Sequence, residues 1–260
     1  MVKPELSSEM TGDVTHDTLH HGRVTYTQFI NGYRTGLEPV LLAALVPARP
    51  GESILEAGCG AGAGLLCLNA RVTGLHLTGI EIDVDTVALA RFNLDRNHVS
   101  GYTLFQAEIP AMPRSLRQTC RNANGRFHHA FANPPWHLSG ATPISHPRRR
   151  RALFCDRNGW SCWITVLAAW VMPGGTLSLA LPAAVVCEAM RCLHEAEFGS
   201  ITLFPLWPKA GRRAKIVLLQ AVLGGRAGTA ISPGLIIHEE NGQYTTETRH
   251  VLCDGAALIP

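Results

Sequence analysis

The chain has 260 residues, a formal net charge of +3, 46% hydrophobic residues and 17% charged residues. This composition excludes an intrinsically disordered chain, and the length is sufficient for one domain with a full core. The mild net charge does not by itself indicate a protein that binds nucleic acid. Such a function has to depend on where the charges lie.

The eight cysteines form no CxxC pair and show no zinc-site spacing with histidine. Their positions in apolar and helical runs predict reduced thiols and no metal site. The first residues, MVKPELSSEM, lack the apolar core of a secretory signal, and apolar runs such as ITVLAAWVM are too short to span a bilayer. We therefore expect a cytoplasmic protein that has no membrane partner.

The N-terminal part of the chain divides into a polar and a structured segment. Residues 1–22 are polar, acidic and rich in histidine, which predicts a poorly ordered arm. Alternation at Val24 and Tyr26 indicates a short hairpin-like segment. It is followed by a predicted helix from about Glu38 to Val46, with Pro39 in its first turn.

From residue 51 onward, strand and helix patterns alternate with short turns. This alternation predicts an α/β fold, a doubly wound and mostly parallel Rossmann-like sheet, with an antiparallel strand at the C-terminal end. We expect one domain over residues 23–260, with an N-terminal segment (23–50), a core (51–223) and a C-terminal extension (224–260). The strands are predicted at residues 53–58, 75–82, 102–108, 127–133, 176–182, 200–207 and 215–223. The helices are predicted at residues 61–72, 83–97, 159–172 and 183–196, with a broken helix at 111–120.

A glycine-rich turn, LEAGCGAGAG, joins the first predicted strand of the core to its helix. Gly58 and Gly60 allow a ligand to approach the backbone next to a helix N-terminus. No Lys-Ser/Thr pair follows the glycines, which excludes a phosphate-binding P-loop. Glu81 ends the next strand about 20 residues later, where an acid binds ribose hydroxyls. Glu56 would repel a pyrophosphate and attract an ammonium group, so the pattern favours S-adenosyl-L-methionine over NAD.

The segment FANPPWH lies at the end of the fourth predicted strand of the core, and its prolines end that strand. It places one amide side chain, Asn133, beside the rigid Pro134–Pro135 corner and the flat ring of Trp136. A rigid turn with a Trp lid on the core is the simple structural explanation. Together with the glycine turn and Glu81, the segment is better interpreted as a corner that holds a planar, hydrogen-bonding group.

The motifs EAGCGAG, GIEID and NPPW occur in this order. In this order they resemble the class I S-adenosylmethionine-dependent methyltransferases that methylate amino groups. NPPW stands where those enzymes have Asn, Asp or Ser, two prolines and an aromatic residue. The segments GYRTGLEPVLLAALVPA, LFPLWPKAGRRAKIVLLQA and GLIIHEENGQYT are similar to the bacterial tRNA(Val) adenine-37 N6-methyltransferase family. The chain departs from that family at Trp136, where Tyr or Phe is usual, and at Glu56, where Asp is more common.

The resemblance implies a transferase of tRNA processing with a Rossmann-like fold. It implies a reacting corner in which the Asn133 side chain and the Pro134 carbonyl accept the two protons of the target amino group. Trp136 would then stack on the base, and stacking of this kind is worth about 1–3 kcal/mol per base. The cofactor contacts that it implies are Arg34, Thr35, Glu56, Gly58, Gly60, Glu81, Ile82, Ala107 and Asn133.

Two basic clusters lie in predicted loops, Arg148–Arg151 and the group Lys209, Arg212, Arg213 and Lys215. Arginines at a helix N-terminus are unfavourable with the helix dipole, so an anionic partner explains the first cluster better than a solvated cap does. We interpret Arg148, Arg149, Arg150, Arg151, Lys209, Arg212 and Arg213 as contacts to RNA phosphates.

The partner predicted from these patterns is RNA, and the target is adenine N6 in a tRNA. Two related reactions stay open, methylation of guanine N2 in rRNA and of glutamine N5 in a protein. The glutamine enzymes usually have a separate helical domain before the sheet, and the short N-terminal region leaves no room for one. A third alternative is an RNA-binding relative without catalysis, against which the intact Asn133 and glycine turn count.

Overall fold

The computed structural model describes residues 13–31, 34–122, 124–135, 137–138, 154–155 and 159–260. Within these residues a nine-stranded sheet has the order β12-β10-β11-β9-β6-β3-β4-β5, and β13 also pairs with β10. Its strands are β3 (Ser53–Ala57), β4 (His76–Glu81), β5 (Tyr102–Gln106), β6 (Phe127–Ala132), β9 (Val171–Pro182), β10 (Phe198–Trp207), β11 (Ile216–Leu223), β12 (Ala230–Ile231) and β13 (Leu235–Ile236). Separate pairs are formed by β1 (Val14–Leu19) with β2 (Val24–Phe29), and by β7 (His137–Leu138) with β8 (Phe154–Cys155).

The predicted doubly wound α/β sheet is confirmed. β3, β4, β5, β6 and β9 run parallel, and β11 is antiparallel to both β9 and β10. The helices are α1 (Glu38–Leu45), α2 (Ala63–Arg71), α3 (Val84–Arg96), α4 (Gly159–Ala168), α5 (Val186–Glu195) and α6 (Thr246–Leu252). None of the helices in the described part of the chain is long and apolar enough to cross a membrane.

The sheet separates two hydrophobic cores. Successive side chains of a strand point to opposite faces, so Ile54 packs with α1 and α2 while Leu55 packs with α4 and α5. The same alternation divides Leu218 from Leu219 on β11. Helices on both faces explain why the central strands are apolar throughout rather than alternating, which is the pattern typical of a parallel sheet.

Three boundaries differ from the sequence prediction. The predicted disordered arm is wrong for residues 14–19, which form β1 and pair with β2; residues 1–12 lie outside the described part. The predicted broken helix is a pair of 3-10 turns, Ile109–Ala111 and Arg114–Thr119.

The third difference concerns β9, which starts at Val171, inside the predicted helix 159–172 and before the sequence Pro-Gly-Gly. Pairing between β6 and β9 is irregular at this point. A Cβ on Gly175 would lie 2.5 Å from the His128 carbonyl oxygen, so only glycine lets the two backbones approach this closely. The glycines therefore serve an irregular pairing inside a strand, and they do not end one.

The C-terminal extension packs into the same core as the rest of the domain. Leu235, Ile237, Val251 and Leu258 are buried together with α1 and α2. The backbone N–H of Leu258 donates to the carbonyl of Ala44 at 2.9 Å. The extension therefore stabilises the face of the sheet that α1 covers.

The β1–β2 hairpin is attached to α3 through two asparagine side chains one helical turn apart. The Asn93 amide accepts from the Thr27 N–H at 2.9 Å and donates to the Thr27 carbonyl at 2.8 Å. It also donates to the carbonyl of Ala61, in the glycine turn, at 2.9 Å. Asn97 binds the N–H and carbonyl of Thr25 in the same way. The helix thus hydrogen-bonds the unpaired backbone N–H and C=O groups at the free edge of β2, as a neighbouring strand would.

We expect Asn93→Ala to lower the free energy of unfolding by about 2–4 kcal/mol, because the backbone groups of Thr27 and Ala61 lose buried partners. Asn93 is 0% exposed, so water cannot replace its amide. Asn97→Ala is the matched control, and it should cost about 1 kcal/mol because Asn97 is half-buried. Urea unfolding of both variants measures the difference. Equal costs would contradict the role given to Asn93.

Candidate active site

Three neighbouring strands end in register at the carboxyl edge of the sheet. The last residue of β3 pairs with the next-to-last residue of β4 and with the last residue of β6. The next residues along these strands are Glu81, Gly58 and Asn133. Strands in a sheet lie about 4.8 Å apart, so these residues follow one another along the edge. Topology thus brings together three residues that are far apart in sequence.

The glycine turn leaves β3 with a left-handed backbone. Gly58, Gly60 and Gly62 have φ values of +68°, +53° and +86°. At Gly60, a Cβ would meet no atom of the described residues within 4 Å, so these residues leave the turn uncovered there. The Cys59 N–H donates to the Ile80 carbonyl at 2.9 Å, which holds the turn against β4. The turn is therefore a fixed, open cradle beside Glu81, and it fits the approach of a ligand to the backbone.

The Glu81 carboxylate connects this turn to the start of α3. It accepts backbone N–H groups from Gly60 at 3.1 Å, Ile82 at 2.9 Å and Asp83 at 3.0 Å. Burial raises the pKa of the Glu81 carboxyl, and these three hydrogen bonds oppose the rise. They use three of about four acceptor positions of a carboxylate. Both hydroxyls of a ribose can bind only if one N–H is released.

Apolar surface surrounds Glu81. Ile82 is 42% exposed although it is a large aliphatic residue, and Val84 at the start of α3 is 59% exposed. The N–H of Ala107, which follows β5, donates to the Glu81 carbonyl at 3.0 Å. Ile82 and Ala107 therefore both lie next to Glu81, where apolar surface suits a flat ring beside a ribose.

Glu56 is placed differently from the open carboxylate that the sequence suggested. Its side chain is 6% exposed and accepts the Leu65 N–H, in the first turn of α2, at 3.0 Å. Gly64 makes room for it, since a Cβ there would lie 2.3 Å from Glu56 Oε1. Burial raises the pKa of Glu56 well above the usual 4.5. The hydrogen bond from Leu65 lowers this pKa, and the negative charge of Glu81 raises it further.

Arg34 and Thr35, two of the cofactor contacts that the resemblance implies, are bound to the β1–β2 hairpin. The Arg34 guanidinium contacts Asp17 Oδ2 at 3.3 Å and donates to Thr15 Oγ1 at 3.1 Å. Thr35 Oγ1 is 2.7 Å from the Tyr26 hydroxyl. In this structure, Arg34 and Thr35 therefore contact the hairpin, and these contacts hold it against the segment that leads into α1. Tyr33 lies outside the described residues.

Trp163 of α4 is a site residue that the sequence patterns did not indicate. A Cβ on Gly58 would lie 2.9 Å from its Cη2 atom and 3.3 Å from its Cζ3 atom, and apart from its chain neighbours no other described residue comes within 4 Å. Gly58 is thus needed for the packing of the indole ring as well as for its left-handed φ. Local pattern could not reveal this contact, because Trp163 is one more apolar residue of a buried helix face.

The proline corner is described only up to Pro135. Asn133 is half-buried directly after β6, and Pro134 is buried behind it. This places the amide at the edge next to Gly58, where the sequence predicted a reacting corner. Trp136 and Arg148–Arg151 lie outside the described residues.

The second basic cluster lies at the same edge of the sheet. The first residue of β11, Ile216, pairs with the last residue of β9, so the loop before it is at the carboxyl edge. Arg212 and Arg213 in this loop are exposed. Lys209 differs, because its ammonium donates to the Glu240 carbonyl at 2.8 Å and fastens the loop to the C-terminal extension.

Glu56 makes a testable contribution to the pH dependence of stability. Folding raises its pKa, so the folded chain holds this proton more tightly than the unfolded chain does. The stabilisation is fully present below 4.5 and is lost as the pH rises through the raised pKa. Glu56→Gln keeps an acceptor for the Leu65 N–H without the charge, so it should be more stable than the parent by about 1–3 kcal/mol at alkaline pH.

Urea unfolding between about pH 5 and about pH 9 would measure this effect, because it scans the range in which a raised carboxyl pKa titrates. The control is Glu108→Gln, at an exposed glutamate near the same edge, and it should follow the parent at every pH. A constant difference between Glu56→Gln and the parent over the whole range would contradict the assignment.

The chain is similar to known methyltransferases. Residues 48–138 match the family described as a methyltransferase domain. The chain is 27% identical over 237 residues to a tRNA1(Val) (adenine(37)-N6)-methyltransferase of Shewanella woodyi. The alignment covers 86% of this chain and 94% of that protein.

Solved structures share the fold. A predicted O-methyltransferase from Agrobacterium tumefaciens matches with a TM-score of 0.68 and 24% identity, over 85% of this chain and 98% of that chain. A T. thermophilus 16S rRNA N2 methyltransferase in complex with AdoMet and guanosine matches with a TM-score of 0.54 and 20% identity, over 80% of this chain and 50% of that one. The matched domain, its fold and its glycine turn with Glu81 lead to one conclusion: the chain is an S-adenosylmethionine-dependent methyltransferase.

Proposed function

We propose that this methyltransferase acts on the exocyclic amino nitrogen of a base in RNA, adenine N6 in a tRNA. The observation that supports this proposal most directly is the position of Asn133. It follows β6 at the edge of the sheet, next to the glycine turn that follows β3. An amide side chain here can bind an amino group beside the cofactor.

The chemistry explains why an amide is suited to this position. The lone pair of an exocyclic amino group is delocalised into the base, so the nitrogen is a weak nucleophile. Two acceptors, the Asn133 side-chain oxygen and the Pro134 carbonyl, would bind its two protons and favour a pyramidal nitrogen whose lone pair is directed at the methyl. The rate then depends on positioning more than on a strong base. After transfer the positively charged nitrogen is strongly acidic and loses one proton to solvent water, so the product nitrogen is neutral.

The cofactor residues divide by the part of the ligand that each would bind. S-adenosylmethionine supplies a methyl group on a positively charged sulfur, which keeps the bonding electron pair when the methyl leaves. Glu81 is assigned to the ribose, while Ile82 and Ala107 are assigned to the adenine ring. Gly58 and Gly60 are assigned to the backbone surface along which the cofactor would lie. The buried negative charge of Glu56 favours the ammonium end, either through space or after release of the Leu65 N–H.

RNA as the substrate is supported by two independent features. The Shewanella relative is named as a tRNA adenine-N6 enzyme and aligns with most of the chain. Arg212 and Arg213 are exposed at the edge of the sheet that holds Asn133. Bases that stand out from RNA loops can enter such an edge without the cost of opening a duplex.

The function is tested by Asn133→Ala. This variant should fold and bind both cofactor and RNA, while its methyl transfer falls by about 10²–10³, because the lost hydrogen bond acts at the reacting nitrogen. Asn133→Asp still presents an oxygen and should retain part of the activity. Single-turnover transfer of labelled methyl to an unmodified tRNA pool measures the rates, and mass spectrometry identifies the product nucleoside.

The outcomes separate the alternatives. N6-methyladenosine supports the proposal, and N2-methylguanosine redirects it to the guanine reaction. Label in protein glutamine, without label in RNA, would exclude RNA as the substrate. Full activity of Asn133→Ala would leave the proline corner as a structural turn.

The RNA surface is tested separately by Arg212→Gln and Arg213→Gln. Each should weaken RNA binding and reduce the slope of log affinity against log salt by about 0.7–0.9 for every phosphate that is no longer neutralised. Arg226→Gln is the matched control, since Arg226 is exposed after β11, at the opposite edge of the sheet. Cofactor affinity should not change in any of the three. An unchanged salt slope in both test variants would exclude this loop from the RNA interface.

A further inference from the structure

The reaction centre has an aromatic wall on the α4 side. Trp163 is half-buried and approaches Gly58 through two atoms of its six-membered ring, Cη2 and Cζ3. Since no other ring atom comes within 4 Å of the Cβ position of Gly58, the indole meets the turn with its edge. The Gly58 backbone therefore covers neither π face of the ring.

This wall is close to where the transferred methyl has to be. Gly58 and Asn133 follow paired residues of neighbouring strands, so their backbones are about 4.8 Å apart. The target nitrogen lies within about 3 Å of the Asn133 oxygen if the proposed hydrogen bond forms. Reacting atoms align at about 3–3.5 Å, and the sulfur is one bond further. A sulfonium bound at the glycine turn beside Gly58 would then lie within the reach of about 6 Å over which an aromatic face attracts a cation.

Building on the proposed function, we propose that Trp163 is a positioning residue that binds the sulfonium charge by a cation–π interaction. Glu81 and Glu56 sit on the far side of the glycine turn and supply negative charge there. Trp163 adds attraction for a cation without adding a third carboxylate to the site. The consequence is specificity: the ring favours the charged cofactor over its neutral demethylated product, and so it promotes product release.

The test compares ligands that differ in this charge. Isothermal titration measures the Kd of S-adenosylmethionine, of S-adenosylhomocysteine, which is neutral at sulfur, and of sinefungin, which has an ammonium in place of the methylsulfonium. Trp163→Leu should raise the Kd of both cationic ligands by about 3- to 30-fold and change that of S-adenosylhomocysteine by less than about twofold. Trp163→Phe keeps a ring and should give a smaller effect of the same sign.

Two further variants serve as controls. Trp170→Leu makes the same change at a half-buried Trp that comes just after α4 and whose ring lies under the Arg117 guanidinium. It should change the Kd of none of the ligands. Glu81→Gln should weaken all three ligands alike, because each contains the ribose.

The outcomes distinguish this inference from the proposed function. If Trp163→Leu weakens all three ligands equally, the ring is only packing and the inference is overturned, while a uniform loss in Glu81→Gln still supports the cofactor site. If Trp163→Phe binds every ligand as the parent does and Trp163→Leu does not fold, the inference is also overturned. If the parent binds none of the ligands, the proposed function falls with it.

Discussion

The parallel register of β4, β3 and β6 is the constraint on which the site depends. It ends three strands at one edge and fixes Glu81, Gly58 and Asn133 as neighbours. Each of these residues has a simple local role, as an acceptor, a left-handed turn and an amide. Their combined chemistry comes from the spacing between strands, which side-chain rotation cannot change. A shift of one residue in any strand would separate the amide from the cofactor turn.

The N-terminal hairpin is coupled to this edge by buried hydrogen bonds. Asn93 joins β2 to α3 and also binds the carbonyl of Ala61 in the glycine turn. The hairpin in turn holds the segment of Arg34 and Thr35 through Asp17 and Tyr26. One amide thus connects the cofactor turn to the segment that follows the hairpin. Because buried amides without partners are costly, the arrangement is rigid as a unit.

The site holds two carboxylates in a costly environment. Burial raises the pKa of both Glu56 and Glu81, and the charge of Glu81 adds to the rise at Glu56. An isolated acid at these positions would be better replaced by an amide for stability alone. A cationic ligand reverses this balance, because its charge favours the ionised acids. In the proposed site, a positively charged ligand such as S-adenosylmethionine would thus gain binding from two acids that are costly for stability.

The sequence by itself determined the α/β class, the sheet with its antiparallel C-terminal strand, the glycine turn, Glu81 and the position of Asn133 after a strand. These features follow from local periodicity and from motifs with fixed spacing, so a single segment is enough to identify each of them. Only the tertiary structure decided that residues 14–19 form a strand, that Glu56 is buried against α2, and that Arg34 contacts Asp17. It also decided that Trp163 meets Gly58. These contacts join segments that are distant in sequence, and they depend on register and on the volume left between packed elements, which no local pattern records.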